Sequence, residues 1–138
     1  MPTGTSLSQA VARGSAPDAD VILDVLVERG VLHFVLACEG GHAHGVRVRF
    51  SRVIRDLAGQ RVNEQPLYGQ LGFLAAGRRI PLLIDTLAGY QQRRQPMQFE
   101  ARIEWQGEDG RTRRRVIRHD LAPVLAAFPK AFVLRIGR

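Results

Sequence analysis

Residues 32–50 read LHFVLACEGGHAHGVRVRF, and this stretch decides the fold. In its first half both alternating sets are largely apolar, with Leu32 and Phe34 in one set and Val35 and Ala37 in the other, which predicts a central β-strand covered on both faces. In its second half valine alternates with arginine, which predicts a strand with one apolar face packed in the core and one cationic face exposed to solvent. The glycine-rich link between the halves is too long for a two-residue hairpin, so we expect it to cross between two sheets.

The rest of the chain repeats this pattern of a strand, a turn and another strand. Alternating side chains predict further strands at residues 21–29, 68–74, 80–86, 97–105 and 112–121, with another candidate at 132–136. Residues 87–96 are predicted to form a loop, and Asp109-Gly110 predicts a hairpin turn. Frequent turn signals and almost no helical periodicity indicate an all-β fold, an immunoglobulin-like antiparallel β-sandwich of about seven strands.

The sandwich is expected to occupy residues 21–121, with a segment of different character on either side. Residues 1–20 are rich in small and polar side chains and are predicted to form a flexible N-terminal arm. Residues 122–138 form an apolar C-terminal extension, which either completes the sandwich as a last strand or adds to the sheet of a neighbour. The apolar side chains that we expect to make this contact are Phe128, Phe132, Leu134 and Ile136.

Composition narrows the class of protein. A chain of 138 residues suits one domain with a real core, and 45% hydrophobic and 24% charged residues are ordinary for a globular protein. A single cysteine excludes an internal disulfide. No run approaches the roughly 18 apolar residues of a membrane helix, and the N-terminus lacks the pattern of a secretion signal. We therefore expect no membrane span and a cytoplasmic location, with export as part of an assembly as the open alternative.

The net charge of +7 is unevenly placed along the chain. Residues 1–45 carry two arginines against five acidic groups, whereas residues 46–138 carry 18 basic groups against eight acidic ones. All the basic residues except Lys130 are arginines. A genome that prefers arginine codons would explain this excess, and so would a cationic face for nucleic acid, anionic lipid or an acidic protein.

The arginines are the main candidates for binding. Arg47 and Arg49 share one strand face, and Arg113 and Arg115 share another. If the two pairs converge, they form a surface for phosphates or for a protein, because arginine pairs with carboxylate and phosphate through a planar fork. Ordinary solvated strand faces would look the same in sequence. Further candidates are Arg78, Arg79, Arg93, Arg94, Arg111, Arg114 and Arg118.

A second, weaker candidate lies in the glycine-rich link. Cys38, His42 and His44 form a C-x₃-H-x-H arrangement that suits zinc or copper, although a buried thiol beside two exposed histidines is the simpler interpretation. Cys38 as a nucleophile would need a lowered pKa and a base such as His42, whereas a free cysteine at the end of an apolar strand is commonly buried and inert. The glycines lack the Lys-Ser/Thr of a phosphate-binding loop. We therefore expect no catalytic residues and no cofactor.

Three segments carry a family resemblance. Residues 36–48 resemble a turn and Val-x-Val strand found in bacterial and archaeal immunoglobulin-like domains of the cell-adhesion-related (CARDB-like) kind, with Gly40, Ala43, Val46 and Val48 matching and Cys38 in place of asparagine. Residues 74–77 resemble the Leu-Ala-Pro-Gly turn of that family. Residues 103–111 resemble its closing hairpin, with Trp105 as the aromatic residue and Gly110 in the turn. The resemblance covers residues 21–121 and implies a spacer or binding module.

Together these patterns predict a non-catalytic protein-interaction module, a structural or adaptor subunit of a larger assembly. Its expected partner is another protein or a second copy of the chain, since the C-terminal extension is strongly apolar. The alternative is an accessory protein that binds nucleic acid or another polyanion through an arginine-rich face.

Overall fold

The fold is described by a computed structural model over residues 18–127. Its strands are β1 (Asp20–Glu28), β2 (Val31–Glu39), β3 (Ala43–Phe50), β4 (Leu71–Leu74), β5 (Arg79–Thr86), β6 (Gln98–Gln106) and β7 (Thr112–Asp120). Its helices are α1 (Pro66–Gly69), α2 (Leu87–Gln92) and α3 (Ala122–Ala126), and Val62–Glu64 forms a 3₁₀ turn. None of the helices in this range is long and apolar enough to cross a membrane.

The described strands form two antiparallel sheets packed as a sandwich. One sheet has the order β1-β2-β5 and the other has the order β4-β3-β6-β7. The link between β2 and β3 therefore crosses from one sheet to the other, as its length predicted. This arrangement confirms the all-β, immunoglobulin-like sandwich.

The core lies between the sheets and follows the alternation of the sequence. Phe34 on β2, Val48 on β3 and Ile103 on β6 are buried. The ring of Phe34 lies 5.5 Å from that of Phe99 and 5.7 Å from that of Phe50, measured between centroids. Aromatic contacts of this kind contribute beyond the area they bury, about 0.5–1.5 kcal/mol each. The strand most clearly predicted, β6, thus directs its apolar side chains into the core.

Two predicted elements differ in the structure. Residues 68–74 were expected to form one strand, but Pro66 begins the short helix α1 and the strand β4 starts only at Leu71. Residues 87–96 were expected to form a loop, but α2 occupies their first part because the Thr86 hydroxyl caps its N-terminus, accepting a hydrogen bond from the Gly89 amide at 3.0 Å.

The ends of the sandwich also extend slightly past the expected boundaries. Asp20 is already part of β1, and Ala19 is buried. At the other end Leu121 is buried and Leu125 of α3 packs against the core. The rest of the predicted N-terminal arm, residues 1–17, and the predicted contact residues Phe128, Phe132, Leu134 and Ile136 lie outside the described residues, as does the candidate strand 132–136.

Candidate functional site

The outward surface of the four-stranded sheet carries the first arginine pair. Val46 and Val48 of β3 are buried, so the side chains of Arg47 and Arg49 project to the opposite side. Arg47 lies opposite Glu104 of β6, and Arg49 lies opposite Arg102. Directly opposed residues share a sheet face, so β6 extends the charged surface.

The third strand of this surface is β7. Its residues Arg114, Val116 and Arg118 lie opposite Glu104, Arg102 and Glu100 of β6. We call the resulting surface the arginine face, and it consists of Arg47, Arg49, Arg102, Arg114, Arg118, Glu100, Glu104 and Val116. Five arginines against two glutamates give this face a net charge of +3.

Only part of this positive charge is neutralised within the sheet. Arg114 pairs with Glu104 at 3.0 Å, while Arg118 and Arg102 share Glu100 at 3.2 and 3.4 Å. Arg47 and Arg49 form no ion pair with any of residues 18–127. Their guanidinium groups therefore retain their donors for a ligand from outside.

The surface around the two arginines is shallow and partly apolar. A depression of about 330 Å³ runs over β3, β6 and β7 between Arg47, Arg49, Arg102 and Arg114. Val116 stands in it and is 56% exposed. An exposed apolar side chain among arginines is typical of the composition of protein interfaces.

The second predicted pair, Arg113 and Arg115, lies on the other side of β7. These residues oppose Trp105 and Ile103, whose side chains are buried between the sheets. The side chains of the two pairs therefore point to opposite sides of one sheet, although Arg115, like buried Ile103, borders the depression beside Arg47 and Arg49.

Arg113 and Arg115 instead tie β7 to the edge of the other sheet. Arg113 pairs with Asp18 at 3.4 Å and with Asp109 at 3.0 Å, and Arg115 pairs with Asp20. The hydrogen bond that Asp109 accepts from the Arg111 amide lowers the pKa of its carboxyl, and the Arg113 guanidinium adds to this effect.

Two further bonds fasten β1 to the opposite sheet. The indole N–H of Trp105 donates to the Ala19 carbonyl at 3.2 Å. Nε2 of His119 lies 2.9 Å from the Leu23 carbonyl oxygen. A carbonyl oxygen can only accept a hydrogen bond, so Nε2 is the donor and carries a proton. The contacts with β7 pair Asp18 with Arg113, Asp20 with Arg115 and Leu23 with His119. Residue numbers therefore rise together along the two strands, so β1 and β7 run parallel across the sandwich.

The other arginine candidates are dispersed. Arg93 pairs with buried Asp85, and Arg111 contacts Asp109 at 3.9 Å. Arg78 and Arg79 lie at the start of β5 in the other sheet, and Arg94 follows α2. Four members of the arginine face were not singled out from the sequence as binding candidates: Arg102, Val116, Glu100 and Glu104. The alternation of β6 nevertheless indicates that its three members lie on the solvent side.

The link between β2 and β3 separates the candidate metal ligands. Cys38 is fully buried, and its thiol donates to the Gly41 carbonyl at 3.1 Å. Burial raises the pKa of this thiol, and the negative charge of Asp20 raises it further. A thiol that stays protonated is neither a good nucleophile nor a metal ligand at neutral pH.

The two histidines are at the surface, His42 in the link and His44 at the start of β3. Nδ1 of His42 accepts a hydrogen bond from the Ala76 amide at 3.0 Å, and His44 lies 3.4 Å from Glu108. Their rings contact Phe73, each with a centroid distance of 5.3 Å. In the described part of the chain no three histidine, cysteine, aspartate or glutamate side chains are grouped so that they could hold a metal ion.

Comparison of the chain with protein-family models, with curated proteins and with solved structures gave no match.

Proposed function

We propose that this protein is a non-catalytic interaction module, a structural or adaptor subunit whose arginine face binds an acidic surface of a partner protein. The observation that carries this proposal is the unpaired state of Arg47 and Arg49, among the described residues, beside exposed Val116. The role of spacer or binding module implied by the CARDB-like resemblance agrees with it, and we propose a cytoplasmic location for the same module.

The form of the surface favours a protein partner. Its side chains stand on three hydrogen-bonded strands, so little ordering of the backbone is required on binding. Arginine and apolar side chains are enriched at the centre of protein interfaces, so exposed Val116 beside Arg47 and Arg49 favours a protein over a continuous row of phosphates. An acidic surface with a few apolar side chains is the complement of this face.

The environments of the cysteine, histidine and carboxylate side chains support the non-catalytic part of the proposal. The one cysteine is buried and holds its proton, and His42 and His44 are engaged with Ala76 and Glu108. The carboxylates on the arginine face already pair with arginines. None of these groups is placed as an activated nucleophile or as a free general base.

A second candidate function, binding of nucleic acid or another polyanion, is favoured by the net charge of +3 on the arginine face. Tyr68 and Tyr90 are both buried, so among the described residues Phe73 of β4, 49% exposed, is the one exposed Phe, Tyr or Trp side chain that could stack on a base, fewer than single-stranded nucleic acid uses. We therefore place it second.

The test compares two double variants with the same change in charge. Arg47→Glu with Arg49→Glu inverts the proposed site, and Arg78→Glu with Arg79→Glu inverts a pair on the other sheet. Binding of the full chain to a fluorescent oligo-glutamate peptide containing leucine is measured by anisotropy across salt concentrations, alongside a 20-nucleotide single-stranded RNA. We expect the first variant to lose about tenfold or more in affinity for the peptide, and the second variant to bind like the natural chain.

The outcomes separate the alternatives. Equal loss in both variants would show that only overall charge matters and would remove the site. Preferential binding of the RNA, lost in the Arg47 and Arg49 variant and weakening steeply with salt, would establish the second candidate.

A further inference from the structure

The outward surface of the three-stranded sheet carries a group of apolar side chains, in contrast to the arginine face. Leu26 of β1, His33 of β2 and Leu83 of β5 lie in one row across the strands. Because neighbouring Leu32 and Phe34 point into the core, this row points outward. Ile22, Val35, Ala37 and Pro81 share its side of the sheet, and we call this set the apolar face.

The apolar face has the features of a surface that receives a covering segment. Leu26 and Leu83 are 41% and 49% exposed on either side of His33. Nδ1 of His33 is buried and has no hydrogen-bond partner in the part of the chain that the structure describes. A buried ring nitrogen without a partner is uncommon, and a backbone group laid over the face would satisfy it.

A covering segment cannot readily join this sheet as another strand. On β1, the Val25 amide is occupied by the Asp24 carboxylate at 2.8 Å, and the Leu23 carbonyl is occupied by His119. On β5, the Ile84 carbonyl accepts from the Leu57 amide at 2.8 Å, and Pro81 has no N–H to offer. Neither edge strand therefore offers a full row of free backbone groups, and a covering segment would have to lie on the apolar face instead.

The described part of the chain ends beyond β7, the strand that contacts β1 across the sandwich. Leu125 of α3 packs against the core directly after β7, whose last residues contact β1 through His119. Eleven residues follow, FPKAFVLRIGR at positions 128–138. Extended, they can span up to about 36 Å, several times the roughly 10 Å across three strands.

The composition of those residues matches the face. Five of them are Phe, Val, Leu or Ile, which suit Leu26 and Leu83. Their cations, Lys130, Arg135 and Arg138, complement Asp24 and Glu28, which lie on the outward side of β1 and form no ion pair with residues 18–127. We propose that residues 128–138 of the same chain lie across the apolar face, with Leu134 and its apolar neighbours covering Leu26, His33 and Leu83.

Cross-linking of paired cysteines in the full chain tests this directly. Leu83→Cys with Leu134→Cys places one thiol on the apolar face and one on the segment. Val116→Cys with Leu134→Cys is the matched control, because Val116 has a similar exposure, 56% against 49%, but lies on the outward side of the other sheet. Fully buried Cys38 does not compete for a short thiol-reactive cross-linker.

We expect the Leu83 pair to be linked within one molecule about tenfold faster than the control pair, at a rate independent of protein concentration. Mass spectrometry and non-reducing electrophoresis distinguish links within a chain from links between chains. Equal rates in the two pairs would overturn the proposal. Links found only between chains would overturn it as well, and would assign the face to a second copy.

If either double-cysteine variant folds poorly, a stability measurement tests the same contact. Leu83→Ser and Leu134→Ser are made singly and together in the full chain, and their unfolding midpoints in urea are compared. We expect the double variant to lose much less than the sum of the single variants, because both changes remove one contact. Additive losses, like those we expect for Val116→Ser with Leu134→Ser, would contradict the contact.

Discussion

The fully buried carboxylate of Asp85 receives both Nε and a terminal nitrogen of Arg93, which joins the end of β5 to the residue after α2. Its other oxygen accepts the Thr86 amide at 2.7 Å. A buried carboxylate with three donors is stable only while those donors remain in place. The crossing from one sheet to the other therefore depends on this pair.

Asp85→Asn should destabilise the fold. An asparagine is neutral and has one acceptor oxygen where the carboxylate has two, so it cannot accept from both Arg93 and the Thr86 amide. We expect a loss of about 2 kcal/mol, below the value for fully buried pairs because Arg93 is partly exposed. Urea unfolding followed by tryptophan fluorescence measures it. The control is Glu64→Gln, whose pair with Arg61 is on the surface and should contribute less than about 0.5 kcal/mol.

Gly89→Ala should be costly for a related reason. A methyl group at this position would lie 2.5 Å from a terminal nitrogen of Arg93, 2.6 Å from Oδ1 of Asp85 and 2.9 Å from the Thr86 hydroxyl. We expect a destabilisation of about 2 kcal/mol in urea unfolding. Gly72→Ala is the matched control, since no atom lies within 4 Å of the added carbon, and a comparable loss there would show that the crowding at Gly89 is not the cause.

Stability should fall in mildly acidic solution because of His119. Burial lowers the pKa of this residue below its ordinary value of 6.5, while its bond to the Leu23 carbonyl and the charge of Asp24 oppose that shift. The unfolded chain thus binds a proton before the folded chain does, so stability is lost as pH falls below about 6.5 towards the folded pKa. Unfolding free energies between pH 7.5 and 5 should decline less in His119→Gln, and an identical decline would contradict this assignment.

Cys38 should be unreactive in the folded protein. Its thiol is fully buried, and burial raises its pKa, so attack by a disulfide reagent requires opening of the strand. We expect its reaction to be about a thousandfold slower than that of the chain unfolded in urea. Rapid reaction under native conditions would show that the thiol is accessible and would reopen the possibility of a functional cysteine.

Substitutions in the two arginine pairs should affect different properties, stability in one pair and peptide binding in the other. Arg115→Met removes the pair with Asp20 and should lower stability by about 0.5–1 kcal/mol while leaving binding of the acidic peptide unchanged. Arg47→Met should weaken that binding and leave the urea midpoint nearly unchanged. The reverse pattern would place the binding surface on the side of Arg115.

The sequence predicted those elements whose two faces differ clearly. On β3 and β6, apolar residues occupy every second position, so the inward side and the outward position of Arg47 and Arg49 followed directly. On β7 both sides are mixed, with Ile117 beside the inward arginines and Val116 beside the outward ones. Sequence alternation could not show which set faces the other sheet, because that depends on Asp18 and Asp20 across the sandwich.

The helix α2 could not be predicted for a similar reason. Its sequence LAGYQQ is short and contains a glycine, and nothing in that composition favours a helix. It forms because Thr86 caps it and because Arg93 is held by a carboxylate from β5. Contacts made in three dimensions decide this element.

The parallel course of β1 and β7 has a mechanical consequence. Asp18 lies beside Arg113 at the start of β7, whereas β7 ends at Asp120, beyond the contact of His119 with Leu23, so the start of β1 and the end of β7 lie at opposite poles of the sandwich. Tension applied along the chain would load the two strands lengthwise, and the ion pairs and hydrogen bonds between them would have to break together instead of one after another. The sandwich should therefore resist a force that shears these two strands past each other better than a force that peels them apart.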